Sequence, residues 1–167
     1  MRTRVITAVL IAAATALPQA LAAADMRVIT GTVTRVSDGD TVWLQPDDRT
    51  RSPIKVRLHG IDAPERCQAW GEQSREALSA RVLQRRVAVT TRRNDDYGRA
   101  LGALVVDGED VNAWMVAQGH AWAARWHRRL GVYGESERGA RTARKGLFAA
   151  DDAIEPRQFR KLHGPCE

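Results

Sequence analysis

The sequence predicts an α+β domain: a five-stranded Greek-key β-barrel with three α-helices. Three observations carry this expectation. Five short runs are rich in β-branched residues or alternate apolar and polar positions. Asp38-Gly39 and Asp107-Gly108 have the signature of tight antiparallel turns. From Gly71 onward, three separate stretches switch to a helical period, giving the order three strands, helix, two strands, two helices.

The first run, VITGTVTRV (28–36), reads as a strand, and TVWL (41–44) returns after the SDGD turn. A polar loop, QPDDRTRSP, leads to IKVRL (54–58), whose Ile54, Val56 and Leu58 share one face while Lys55 and Arg57 share the other. Next, EQSREALSARVLQRR places Ala77, Leu78, Ala80, Val82 and Leu83 along one helix face, with Ser74 as its expected N-cap. VAVTT (87–91) and ALGALVV (100–106) are the last two strands. DVNAWMVAQG predicts a second helix stopped at Gly119, and ESERGARTARKG a third, weakened by Gly139. Short antiparallel strands with a helix between the third and fourth favour a barrel of the oligonucleotide/oligosaccharide-binding (OB) type over a parallel sheet.

The chain has 167 residues and opens with Arg2 and Arg4, an uncharged apolar stretch from Val5 to Leu17, and small residues at Ala22 to Ala24. This is the layout of a secretory signal peptide over residues 1–24; the apolar stretch is short for a membrane span. A secreted or periplasmic protein without stable membrane association is expected. Residues 25–150 would form one barrel domain and 151–167 a polar, loosely packed tail. The formal net charge is +6, and arginine dominates, with lysine only at positions 55, 145 and 161. A basic, arginine-rich surface permits a nucleic-acid partner without requiring one. The two cysteines, Cys67 and Cys166, would bridge in an oxidising compartment or remain two free thiols; with histidines only at 59, 120, 127 and 163, they offer no zinc spacing.

The candidate chemistry lies in two acidic stretches. Asp38 and Gly39 are accounted for by a turn, but Asp40 shares parity with Val42 and Leu44 and falls at the mouth of the expected barrel. A carboxylate there needs a cationic partner. In HGIDAPERCQ, which follows the third strand, Pro64 stiffens the chain between Asp62 and Glu65. Taken alone, Asp-Ala-Pro-Glu is ordinary turn chemistry, and Arg57 or Arg99 alone is a solvated surface residue. Their combination says more. Asp40 and Asp62, with a backbone carbonyl and water, could hold a hard cation such as Ca2+. Arg57 and Arg99 could clamp a phosphodiester, and Glu65 could orient or deprotonate the attacking water. A cation, a base and an anion clamp complete a hydrolytic site without a nucleophilic side chain.

The successive blocks VSDGDTVWL, VRLHGIDAPE, DDYGRALGALVVDG and VNAWMVAQGHA resemble the motifs of the staphylococcal nuclease family, in order, from about residue 30 to 122. The resemblance implies a calcium-dependent nuclease acting on DNA and RNA and leaving 3′-phosphate ends. It implies Asp40, Asp62 and the backbone of Ala63 as metal ligands, Arg57, Glu65 and Arg99 as catalytic residues, and Tyr97 as a substrate contact. Asp96 stands where the best-known member of the family has a lysine before Tyr-Gly-Arg, and Arg125 lies near the place of a second nucleotide-contacting tyrosine. The loop after Glu65 is shorter than in the best-known member and carries Cys67, so a bridge to Cys166 would restrain it. A monomer is expected. A non-catalytic barrel that binds nucleic acid is the alternative, with stacking aromatics as its usual feature; Trp114, Trp122 and Trp126 instead read as packing residues in or near a helix. A protein stabilised by a calcium ion would explain Asp40 and Asp62 but leave Arg57, Arg99 and Glu65 as coincidence.

Overall fold

A long first strand organises the barrel in the computed structural model, which describes residues 26–126, 129–164 and 166; the predicted signal peptide and His127 lie outside them. Strand β1 (Arg27–Asp38) pairs antiparallel with β2 (Thr41–Pro46) through its second half and with β5 (Arg86–Asn94) through its first. Strand β2 pairs with β3 (Ile54–Leu58), β5 pairs with β6 (Ala100–Val106), and a parallel β3–β6 pairing closes the ring. The observed order β3-β2-β1-β5-β6 is the predicted five-stranded barrel, and a two-residue strand, β7 (Glu109–Asp110), extends it beside β6. Alternation does the sorting: Val33, Val42, Leu44, Val56, Leu58, Val89 and Leu104 point inward and are fully buried.

Helix α1 (Gly71–Val82) contributes Leu78 and Val82 to this core, and α2 (Val111–Ala117) contributes Val111, Met115 and Val116. Ser74 is not the N-cap expected from the sequence. Trp70 holds that position in a left-handed conformation, and Ser74 is buried one turn inside, where its hydroxyl donates to the His120 carbonyl at 2.7 Å. Gly71 lets the helix begin against the acidic loop, since a Cβ there would lie 2.0 Å from the Glu65 carbonyl oxygen. At the start of α2, the Asp110 side chain caps the Ala113 N–H.

Two-residue strands β4 (Ile61–Asp62) and β8 (Trp122–Ala123) pair with each other, and β9 (Arg125–Trp126) pairs with β10 (Arg129–Leu130). Helix α3 (Gly134–Thr142) follows, then a 3-10 turn at Gly146–Ala149. Trp122, Ala140, Leu147 and Phe148 make a second apolar cluster, with the Trp122 and Phe148 rings edge to face at 5.9 Å. Trp122 is therefore a packing residue, as expected; Trp114 is half-buried against the main core, and the Trp126 side chain lies outside the described part.

Three helices were expected and four are described. The fourth, α4 (Pro156–His163), lies in the stretch read as a loose tail. Proline at its start supplies a pre-set backbone angle, but long-range ties hold it in place. Cys67 and Cys166 are bonded, Gln68 donates to the Ile154 carbonyl at 2.7 Å, and Arg125 pairs with Glu155 at 2.7 Å.

Candidate active site

Strand pairing sets the first members of the site. The β1–β2 turn brings Gly39 against α1 and the acidic loop; a Cβ there would meet the Ser74 hydroxyl at 1.9 Å and the Ala63 Cβ at 2.8 Å. The next residue, Asp40, is thereby driven inward and is only 3% exposed. Register places Thr41 opposite Arg57, so the Arg57 guanidinium reaches the turn. It donates to Asp40 Oδ1 at 2.9 Å and to Asp62 Oδ1 at 2.9 Å. The remaining Asp40 bonds come from the Thr41 hydroxyl, 2.9 Å to Oδ1, and the Ala63 N–H, 3.1 Å to Oδ2. A carboxylate this deeply buried needs such partners for its oxygens.

Asp62 is fixed by a relay from outside the barrel. Buried Glu137 on α3 accepts from the Ala123 N–H at 2.9 Å, which anchors β8; β8 in turn pairs with β4, where Asp62 faces Trp122. Asn112 secures the preceding turn. Its Oδ1 accepts from Leu104 N–H at 3.1 Å, and its Nδ2 donates to the carbonyls of His59 at 2.9 Å and Gly102 at 3.1 Å. It is fully buried. Sequence reasoning passed over Asn112, although a polar residue on the apolar face of VNAWMV is a visible signal. Asn112→Ala is expected to cost about 1–3 kcal/mol for each backbone group left without a partner, measurable by urea unfolding.

Glu65 follows buried Pro64 and is half-buried. The buried Gln68 side chain accepts from the Glu65 N–H at 3.1 Å, and the Gln68 N–H returns to the Glu65 carbonyl at 2.9 Å. Arg99 enters through the parallel β3–β6 pairing, which sets Arg57 opposite Leu101. Its Nε donates to Asp95 Oδ2 at 2.7 Å. Asp95 also accepts from the Tyr97 and Arg99 N–H groups, and these bonds outweigh its desolvation and hold its carboxyl below the usual range. Tyr97 is 85% exposed at the rim, with Arg99 over its ring at 5.4 Å.

Asp40, Arg57, Ala63, Glu65, Tyr97 and Arg99 all line one pocket of about 430 Å³; Asp62 does not line it but lines a larger groove, and is tied to the pocket by its bond from Arg57. Three further residues line the pocket: Pro64; Asp38, read in the sequence as a turn residue alone; and Arg160 of α4, in the stretch read as tail. Burial and the neighbouring Asp40 charge push the Asp38 carboxyl up to about 7. Burial and Asp40 also raise Asp62, against the opposing pull of Arg160 and Arg57.

Burial beside one another is thus what raises these carboxyl groups, and carboxylate oxygens are the donors a hard cation takes. The donor chemistry fits: Asp40 and Asp62 supply carboxylate oxygens, and the Ala63 backbone and solvent could complete an all-oxygen shell. Among the described residues, no group of three or more acidic, histidine or cysteine side chains forms a ready cage, so backbone and water would be required.

The Asp38 shift has a definite sign. Between the ordinary carboxylate value of 3.8 and about 7, the folded chain retains a proton that the unfolded chain has released. Stability of the metal-free protein should therefore fall as pH rises from about 4 to about 7, and Asp38→Asn should flatten that decline in thermal melts.

Fold and site together define an OB-type barrel with a polar pocket of convergent aspartates, arginines and one glutamate at its rim. Residues 55–150 match the family described as staphylococcal nuclease homologue. The chain is 42% identical to Protein ParB of Escherichia coli, with 78% of each chain covered. It is 36% identical to the micrococcal nuclease of Shigella flexneri, covering 78% of this chain and 80% of that one. An uncharacterized endonuclease of Haemophilus influenzae is also 36% identical, covering 77% and 71%. The chain belongs to the staphylococcal nuclease family, and its enzyme class is nuclease, a hydrolase of nucleic-acid phosphodiesters.

Proposed function

We propose that this protein is a secreted or periplasmic, calcium-dependent endonuclease, acting as a monomer on DNA, RNA or both. It would hydrolyse the phosphodiester by attack of an activated water and leave 3′-phosphate ends. The observation that carries the reading is the convergence of Asp40, Arg57, Glu65 and Arg99 on a single pocket, with Asp62 tied to it through Arg57.

Roles follow from chemistry and placement. Arg57 and Arg99 lie where two planar guanidinium forks could grip the non-bridging oxygens of one phosphate, neutralising charge that grows in the transition state. Glu65 has a carboxylate at the same pocket and would orient or deprotonate the water. Asp40 and Asp62, with the Ala63 carbonyl, would hold Ca2+, which supplies Lewis-acid stabilisation of phosphoryl oxygen when bound. Tyr97, exposed at the rim, would meet the nucleotide next to the scissile bond. The predicted signal peptide and the Cys67–Cys166 bond both suit an oxidising compartment. Plasmid and RNA digests with calcium or chelator, followed by end-group analysis, test the proposal. Cleavage unaffected by chelator would remove the metal assignment, and 5′-phosphate ends would remove the proposed bond of cleavage.

A further inference from the structure

We infer that α4 is a wall of the substrate groove and that Arg160 contacts a backbone phosphate beside the scissile one, held in place by the Cys67–Cys166 bond. The inference rests on the nuclease reading of the pocket and adds a substrate-binding residue to it.

Arg160 occupies a junction. It and Arg57 line both the 430 Å³ pocket and an adjoining groove of about 1160 Å³. Its Nη1 donates to Glu65 Oε1 at 2.5 Å and its Nη2 to Asp62 Oδ2 at 3.4 Å. The guanidinium therefore lies between the proposed base and a proposed metal ligand. Its side chain is 40% exposed, and a guanidinium has five N–H donors, so donors remain for an incoming phosphate. One helical turn earlier, exposed Arg157 also lines the larger groove, where Arg125 joins it. The groove shares Arg57 and Arg160 with the reacting pocket and is also lined by Arg157 and by Arg125, which is paired with Glu155; four arginines against Asp62 and Glu155 leave it a net positive lining for a polyanionic strand.

The placement depends on covalent and polar ties to the loop carrying Glu65. Cys67, two residues beyond Glu65, is bonded to Cys166, six beyond Arg160, and the Cys67 N–H also lies 3.0 Å from the Cys166 sulfur. Gln68 links the Glu65 N–H to the Ile154 carbonyl just before α4. The acidic loop and α4 are thus tied together, and loss of the bond would loosen the placement of Arg160 against the polar ties that remain.

The test compares the parent, Arg160→Ala and Arg160→Lys in steady-state cleavage of duplex and single-stranded DNA. Binding is measured in parallel across a salt series with chelator present, so that no cleavage occurs. Arg160→Ala should raise KM about tenfold more than it changes kcat and should lower the salt-dependence slope of binding by about one. Arg160→Lys should restore the slope and part of the KM. Reduction with dithiothreitol should raise KM in the parent but add little in Arg160→Ala. Thermal melts with the bond intact serve as the folding control, and Arg160→Ala should melt close to the parent because the ion pairs of a half-exposed side chain add little stability. An unchanged KM and slope in Arg160→Ala, with parent cleavage intact, would overturn this inference and leave the nuclease reading standing. A higher kcat at unchanged KM would overturn it too, marking the Glu65 contact as a block on the site. Failure of the parent to cleave would strike the underlying reading.

Discussion

Glu65→Gln is expected to lower turnover by about 10²–10⁴-fold, the usual contribution of a positioned acid–base group. The substitution preserves shape and keeps an oxygen acceptor for Arg160, which donates to Glu65 Oε1 at 2.5 Å. It also leaves untouched the Gln68 bonds that hold the loop, because these involve the Glu65 backbone. Binding of DNA, measured with chelator present, should therefore remain near the parent value while kcat collapses. A comparable fall in binding would instead mark Glu65 as a determinant of pocket shape, with its chemical role unsupported.

Arg57→Lys is the second large effect, and it has two parts. Arg57 presents separate nitrogens to Asp40 Oδ1 and Asp62 Oδ1, both at 2.9 Å. An ammonium is a point charge and cannot span two carboxylates while facing a phosphate. Loss of one planar donor at developing negative charge should cost about 10²-fold or more in kcat. Stability should fall as well, because the Asp40 side chain is only 4% exposed and depends on this partner. Arg57→Ala should be worse in melts, at about 3–5 kcal/mol, since it leaves a buried charge unpaired. Kinetics and thermal unfolding on both variants separate the two contributions: Lys should retain more stability than Ala while recovering little activity.

Much of this was legible in the sequence because it is local. The Asp38-Gly39 turn and the alternation on either side fix β1 and β2, and parity along β2 correctly turns Asp40 inward with Val42 and Leu44. Asp62 and Glu65 fall in one stiffened loop, so their nearness to Arg57 follows from a few residues of chain. Arg99 reaches the pocket through a parallel pairing between β3 and β6, which no short-range pattern encodes; there the family motif supplied what periodicity lacked.

The misreadings have a common physical cause. Ser74 is a good N-cap by chemistry, yet the helix starts earlier because Gly71 can pack against the Glu65 carbonyl, leaving Ser74 to bond His120. Helix α4 looked like a polar tail because its stabilising ties are contacts with residues far away in sequence: Cys67, Gln68, Asp62 and Glu65. Asp38 was accounted for by the turn it does make, its Oδ1 accepting from the Asp40 N–H at 3.0 Å. Its place in the pocket and its raised carboxyl arise only in the folded chain, from burial first and from Asp40 beside it second.

Hydrolysis of nucleic acid through Glu65 in this pocket is tested most directly by cleavage of supercoiled plasmid by the purified parent and by Glu65→Gln, side by side in calcium, with equal folding verified by melts. Rapid nicking and linearisation by the parent, with the variant slower by at least two orders of magnitude, is the predicted result. Equal cleavage by the two proteins would contradict it.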